Sequence, residues 1–208
     1  MKPFTQVTSP VIPLCAANID TDQIIPAQFV NVQGIPALAD ALFANLRRND
    51  PQFILNQPGM LGRQIVLSGC NFGCGSSREA AAWALGAAGV RALVGVSFNT
   101  TFWTNCINNA ILPVTVSQGA YDTLCDAYSA DPGMNVMVDL VARSVSADAG
   151  GGLPGQRLVR FEFETEAFAR DLLISGQDEL GYLLQRQVVI RQFVQRRTDN
   201  ASPQDAAR

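Results

Sequence analysis

An α/β fold with a partly parallel central sheet is predicted by three features of the sequence. A short apolar run, Arg63–Leu67, leads into a glycine-rich turn over Ser68–Glu79 and then into Ala80–Ala88, which reads as helix. A second apolar run, Ala92–Val96, completes a β-α-β unit, whose two strands have to run parallel because a helix carries the chain back between them. Farther on, Asn135–Val145 and Leu158–Phe163 flank the glycine-rich stretch Ala149–Gly152 and read as an antiparallel hairpin.

The remaining elements follow from the same patterning. Val7–Ala16 mixes apolar residues with Pro10 and Pro13 and is expected as the first strand. Asp20-Thr21-Asp22 is a polar turn; two carboxylates are too few for a calcium loop, so an N-cap or turn role is expected of them. Asn31–Pro36 reads as a loop and Ala37–Leu46 as one short amphipathic helix, with Arg47 and Arg48 suiting its negative end. Phe102–Ala110 reads as helix, Leu112–Val116 as a third strand and Gly119–Ala130 as another helix. Glu166–Ser175 is helical, a glycine-broken stretch runs to Leu184, and Val188–Val194 is helix-forming. The expectation is one domain over residues 1–198 and a disordered polar tail over 199–208.

Composition narrows the function. The 208 residues carry a net charge of −3, so nucleic acid is not an expected partner. No apolar run approaches the ~20 residues that span a membrane, and the N-terminus lacks a basic region followed by an apolar one, so no membrane partner and a cytoplasmic location are expected. Five cysteines, an odd number in no scaffold spacing, fit a reducing compartment and do not form an iron–sulfur ligand set. The chain contains no histidine, which removes Ser-His-Asp and Cys-His schemes and every His-containing metal site together.

Chemistry concentrates in the central turn, Ser68-Gly69-Cys70-Asn71-Phe72-Gly73-Cys74-Gly75-Ser76-Ser77-Arg78-Glu79. Glycines permit close backbone approach, and the first N–H groups of the following helix have no partners within it, so the turn can hold an anion. Ser76 or Ser77 is expected as the N-cap, with Glu79 three residues after Ser76 in capping-box spacing. Capping leaves Arg78 unexplained: a cation at the positive end of a helix is electrostatically unfavourable, whereas beside two hydroxyls it suits the grip of a carboxylate or phosphate. The dinucleotide pattern fails at its third glycine, where Arg78 stands, and the P-loop pattern fails for want of a lysine. Among the cysteines, only Cys74 has an electropositive setting that could activate a thiol.

Asn71–Glu79 also resembles the signature of the swivelling domain of the aconitase superfamily, and in particular of the isopropylmalate dehydratase small-subunit family. Asn18–Pro26 resembles that family's Asp-Thr-Asp-x-Ile-Ile-Pro element, and Ser97-Phe98 with Phe102, Asn105 and Asn108–Val114 resembles the segment after its second strand. The likeness runs from about Val11 to about Leu184. It implies β/β/α layers around the partly parallel sheet, and a hydro-lyase that isomerises a 2-hydroxy diacid through an unsaturated intermediate. It further implies that this chain holds no cofactor and that a [4Fe-4S] cluster sits on a separate large subunit, its partner. By place in the motif, Ser76 matches the family's serine base, while Ser77, Arg78, the Gly75 backbone and Asp20, Thr21 and Asp22 would line the cleft for a small dicarboxylate.

Three positions depart from the family pattern. Asn31–Pro36 replaces a loop that would face the variable side chain of the substrate, Ala80 stands where histidine is usual, and Thr100-Thr101 where Ala-Asp is common. The resemblance therefore implies an isopropylmalate isomerase subunit of leucine biosynthesis, with two alternatives: a paralogue for citraconate, maleate or a methylmalate, or a non-catalytic anion-binding module.

Overall fold

The structure, a computed structural model, describes residues 2–149 and 157–200. The glycine turn expected over residues 150–152 and the tail over 201–208 lie outside the described residues, while Asp199 and Asn200 end a helix. The chain separates into two compact units, Met1–Gly176 and Gln177–Arg208.

The first unit is built on a seven-stranded sheet: β1 (Gln6–Leu14), β2 (Ile65–Ser68), β3 (Ala92–Gly95), β4 (Leu112–Thr115), β5 (Asn135–Asp139), β6 (Ser144–Ala149) and β7 (Arg157–Glu162). Their spatial order is β4-β3-β2-β1-β5-β6-β7. β1 to β4 pair in parallel, and β5, β6 and β7 add on antiparallel to β1 and to one another. The fold class read from the sequence therefore holds: an α/β fold, half of whose strand pairs are parallel. β2 and β3 are buried at every position, the pattern of strands covered on both faces, which is why they read as unbroken apolar runs.

Register places the site. Leu14 pairs with Ser68, Ser68 with Gly95 and Gly95 with Thr115, so the carboxyl ends of the four parallel strands form one row. The segments leaving β1, β2 and β3 must consequently emerge side by side along one edge, where ligands of open α/β sheets collect.

Six helices follow in chain order through the parallel half: α1 (Thr21–Ile24), α2 (Ile35–Ala41), α3 (Ala44–Asn49), α4 (Glu79–Ala87), α5 (Thr100–Asn108) and α6 (Gln118–Ala130). α7 (Ala167–Ser175) follows the hairpin strands, and its Leu173 carbonyl accepts from the Phe4 amide at 2.8 Å. α8 (Glu179–Gln185) and α9 (Gln187–Asn200) make up the described part of the second unit. No helix among the described residues is long and apolar enough to cross a membrane.

Two elements differ from expectation, each for a local reason. The single helix expected over Ala37–Leu46 is broken into α2 and α3 at Leu42 and Phe43, with Phe43 in the left-handed region at φ 51°. Both side chains are buried, and the Phe43 ring stands 5.7 Å from that of Phe53, so core burial overrides helical continuity. The single strand expected over Asn135–Val145 is two strands. Asp139 accepts the Ala142 amide at 2.8 Å and Arg143 takes φ 53°, a tight turn that folds Val145 back onto Val138.

The core of the parallel half is laid around the alanines of α4, with Phe72, Phe102, Ile24, Ile25 and Phe43 against them. Alanine leaves a smooth helix face on which the large side chains pack, so the central turn is anchored by its own Phe72, wholly buried, edge-on to Phe98 and Phe102 at 6.4 and 5.5 Å. Gly73 has φ +74°, and a Cβ there would run into the Phe102 ring. Gly73→Ala should therefore cost on the order of 2–5 kcal/mol, combining left-handed strain with overpacking; urea unfolding within about 0.5 kcal/mol of the parent chain would show that the ring gives way freely.

Candidate functional site

Three chain segments meet at the carboxyl edge of the sheet and hold one another by main-chain bonds. From β1, the Asn18 amide donates to the Cys70 carbonyl at 2.9 Å, the Ile19 carbonyl accepts from Gly73 at 2.8 Å, and the Thr21 amide donates to Cys74 at 2.9 Å. From β3, the Ser97 carbonyl accepts from Phe72 at 3.1 Å and the Asn99 amide donates to Phe72 at 3.0 Å. The turn after β2 thus lies between two short bridges, Asp20 with Cys74 and Phe72 with Phe98. At Gly69 an added Cβ would stand 2.7 Å from the Ala16 carbonyl, so glycine is needed for that close approach. Asn71, at φ 56°, completes the clamp: its side-chain amide donates to the Asn18 side chain at 2.7 Å and its N–H to the Ser97 hydroxyl at 2.8 Å.

The segment after β1 supports the exposed end of the turn. Asp20 is the N-cap of α1: its carboxylate accepts the Gln23 amide at 2.7 Å while the Gln23 side chain accepts the Asp20 amide at 2.9 Å, a closed capping box. The N-cap role expected of this polar turn therefore falls on Asp20. Thr21, buried, donates its hydroxyl to the Ser76 carbonyl at 2.7 Å. Gly75, at φ +87°, lies against Asp20, where an added Cβ would stand 3.4 Å from the Asp20 Cβ.

Ser76 and Ser77 do not cap α4, contrary to expectation. The helix begins at Glu79, its N-cap is Arg78, and the Arg78 side chain makes no capping bond. The reason is the Thr21 bond, which pins the Ser76 carbonyl inward and leaves both serine hydroxyls on the outside, exposed. Neither hydroxyl, nor the N–H groups of Gly75, Ser76 and Ser77, has a protein partner among the described residues. Glu79 lies at the side, its carboxylate accepting from Asn109 at 3.3 Å.

Arg78 is held beside these open donors. Its Nη1 forms an ion pair with the Asp22 carboxylate and lies 3.5 Å from the Ile25 carbonyl. The two side chains are 21% and 51% exposed, so screening by solvent limits the pair to about 0.2–1 kcal/mol. What the pair does is orient: a guanidinium with five N–H donors keeps most of them free while one edge is fixed. Free hydroxyls, unpaired amides, a positive helix end and an oriented guanidinium together make a cradle whose chemistry suits an anion such as a carboxylate.

The structure accordingly brings Gly75, Ser76, Ser77, Arg78, Asp20, Thr21 and Asp22 together, all seven named from the sequence. Asp20 and Thr21 have their side chains engaged in shaping the cradle. The sequence reading placed Asn18 and Ser97 in segments resembling the family but missed their bonds to Asn71, and it missed the Ile25 carbonyl. Ala80 is buried in the core, so that departure from the family pattern is not exposed, and Thr100 and Thr101 open α5 behind the Asn99 cap. The expected loop over Asn31–Pro36 ends in Gly34 at φ 90° followed by α2, and Val32 lines a cleft of about 530 Å³ with Phe29, Asp40, Arg47 and Arg48. No three acidic, histidine or cysteine residues gather in metal-binding geometry among the described residues. Cys106 is fully buried, which raises its thiol well above the usual range, and Cys74 is half-buried with its carbonyl tied to Thr21.

Comparison with known proteins bears on what the cradle serves. The aconitase C-terminal domain family matches residues 1–119. The 3-isopropylmalate dehydratase small subunit of Chloroflexus aurantiacus is 42% identical over 195 residues, covering 91% of this chain and 93% of that protein. The protein of the same name from Francisella tularensis subsp. novicida is 37% identical, covering 94% of this chain and 98% of its own length. Among solved structures, a 3-isopropylmalate dehydratase from Methanocaldococcus jannaschii superposes with a TM-score of 0.62 over 90% of this chain and 98% of that one; at 21% identity it supports the fold.

The orienting role of Asp22 has a measurable signature. Asp22→Asn should leave urea stability within about 1 kcal/mol of the parent while broadening the Arg78 side-chain NMR signals; a stability loss several times larger would make the ion pair a structural brace instead.

Proposed function

The chain belongs to the family of 3-isopropylmalate dehydratase small subunits, and on that premise we propose that it is the small subunit of a hydro-lyase interconverting 2-isopropylmalate and 3-isopropylmalate in leucine biosynthesis. The observation that supports this most is the cradle itself: exposed Ser76 and Ser77, open amides at the start of α4, and Arg78 fixed by Asp22. The alternatives, a paralogue for another diacid or a non-catalytic anion-binding module, are not favoured, because relatives at 37–42% identity over most of the chain carry the one name.

The reaction needs a proton removed from a carbon beside a carboxylate and hydroxide lost from its neighbour. Arg78 pairs with that carboxylate, which withdraws charge and makes the adjacent C–H more acidic. Ser76 takes the proton. A serine hydroxyl is a weak base, so its oxygen has to be stabilised as it gains negative charge. The open N–H groups of the turn, the positive end of α4 and Arg78 are placed to do this. Ser77 and the Gly75 backbone complete the grip, and Asp20, Thr21 and Asp22 border the same cleft. Thr21, through the Ser76 carbonyl, sets where the base stands.

Hydroxide loss calls for a Lewis acid, which a [4Fe-4S] cluster supplies when bound. The residues of this chain do not fit one: Cys70 is exposed, Cys74 half-buried and Cys106 buried, and no third ligand joins any pair of them among the described residues. We assign the cluster to the large subunit that pairs with this chain in the cytoplasm and closes the exposed side of the cradle.

The test is kinetic, on the complex reconstituted with its large subunit and supplied with 2-isopropylmalate. Ser76→Ala should lower kcat by roughly 10²–10⁴-fold, the usual worth of a general base, with KM changed far less. Arg78→Lys should raise KM and lower kcat together, since a point charge cannot replace the fork. Equal effects of Ser76→Ala on kcat and KM, or none, would remove Ser76 as the base.

A further inference from the structure

Beyond the cradle, two thiols meet that the proposed reaction does not use. Cys15 and Cys125, 110 residues apart in sequence, bring their sulfurs to 3.8 Å. Cys15 directly follows β1 and is exposed; Cys125 lies on α6 and is half-buried. One turn earlier on α6, the buried Tyr121 donates its hydroxyl to the Cys15 carbonyl at 3.3 Å, so the helix already grips the end of β1 at this point.

We propose that Cys15 and Cys125 are a redox site that closes to a disulfide under a peroxide-class oxidant. The exposed Cys15 is the sulfur the oxidant reaches. Its thiolate attacks the O–O bond, forming an S–O bond and releasing hydroxide, which takes up the thiol proton to leave as water. The Cys125 sulfur then attacks the Cys15 sulfenic acid, the S–S bond forms, and the S–OH oxygen departs with the Cys125 proton as a second water. Two thiols and one peroxide thus give one disulfide and two waters, each sulfur losing one electron and the peroxide gaining both. Burial is the main cause that pushes the Cys125 thiol up to about 11, which suits a resolving rather than an initiating role.

Closing the bond draws the sulfurs from 3.8 Å to about 2.05 Å and so pulls together α6 and the start of the segment after β1. That segment carries Asn18, which clamps the central turn, and Thr21, which positions Ser76. The linkage stands on the thiol geometry alone, while its effect on turnover rests on the function proposed above.

The test uses the full chain. Brief treatment with hydrogen peroxide should consume two of the five thiols, lower the mass by two hydrogens, and yield one crosslinked peptide containing Cys15 and Cys125 that dithiothreitol reverses. Cys15→Ser, a change at an exposed position, should abolish the crosslink, and so should Cys125→Ser. Pre-oxidised chain mixed with untreated large subunit should turn over several-fold more slowly than reduced chain, recovering on reduction. Oxidation of Cys15 to sulfinic acid with Cys125 still reduced, or pairing of Cys15 with Cys70, would overturn the proposal; a crosslink without loss of turnover would confirm the redox site and remove its effect on the cradle.

Discussion

The hydrogen bond from the buried Thr21 hydroxyl to the Ser76 carbonyl is what the exposed half of the site hangs on. It joins the segment after β1 to the turn after β2 at the one place where the turn leaves the core, and it decides which way Ser76 and Ser77 face. Were the serines free to cap α4, their hydroxyls would be consumed by the helix. Held by Thr21, they face outward and the helix start stays open. The capping that a helix N-terminus normally takes from its own sequence, worth about 1 kcal/mol, is forgone here in favour of open donors.

That arrangement depends in turn on packing beneath it. Phe72 anchors the turn in the core against Phe98 and Phe102, and Gly73 lets the chain pass over the Phe102 ring. The strand register brings the three loops to one edge without any contribution from the site residues themselves. The scaffold is therefore apolar and closely packed, and the polar groups are its outermost layer. A site of this kind is open on one side, which fits a subunit whose other wall comes from a partner.

Much of this was legible in the sequence. Apolar runs bounded by glycine gave β2 and β3, and the motif Ser76-Ser77-Arg78 drew attention because capping could not account for an arginine at a positive helix end. Asp20-Thr21-Asp22 was found by resemblance and by polarity, and Asp20 does cap a helix. What could not be read was who bonds to whom. The serine caps failed because Thr21 lies 55 residues away in sequence, and no local pattern announces such a partner. The break at Phe43 was invisible for a related reason: helix periodicity continues through it, and only the tertiary core explains the left-handed turn. The approach of Cys15 to Cys125 was equally beyond reach, being a product of where α6 packs.

On the function proposed above, Arg78 and the open donors beside it hold a substrate carboxylate. The most direct measurement is a structure of the reconstituted complex with a dicarboxylate substrate or close analogue bound. One carboxylate should be seated on Arg78 and on the amides of Ser76 and Ser77, with the Ser76 oxygen facing the adjacent carbon and Asp22 still against the far edge of the guanidinium. A dicarboxylate bound elsewhere, with Arg78 still closed on Asp22 and the Ser76 and Ser77 amides facing only solvent, would contradict it.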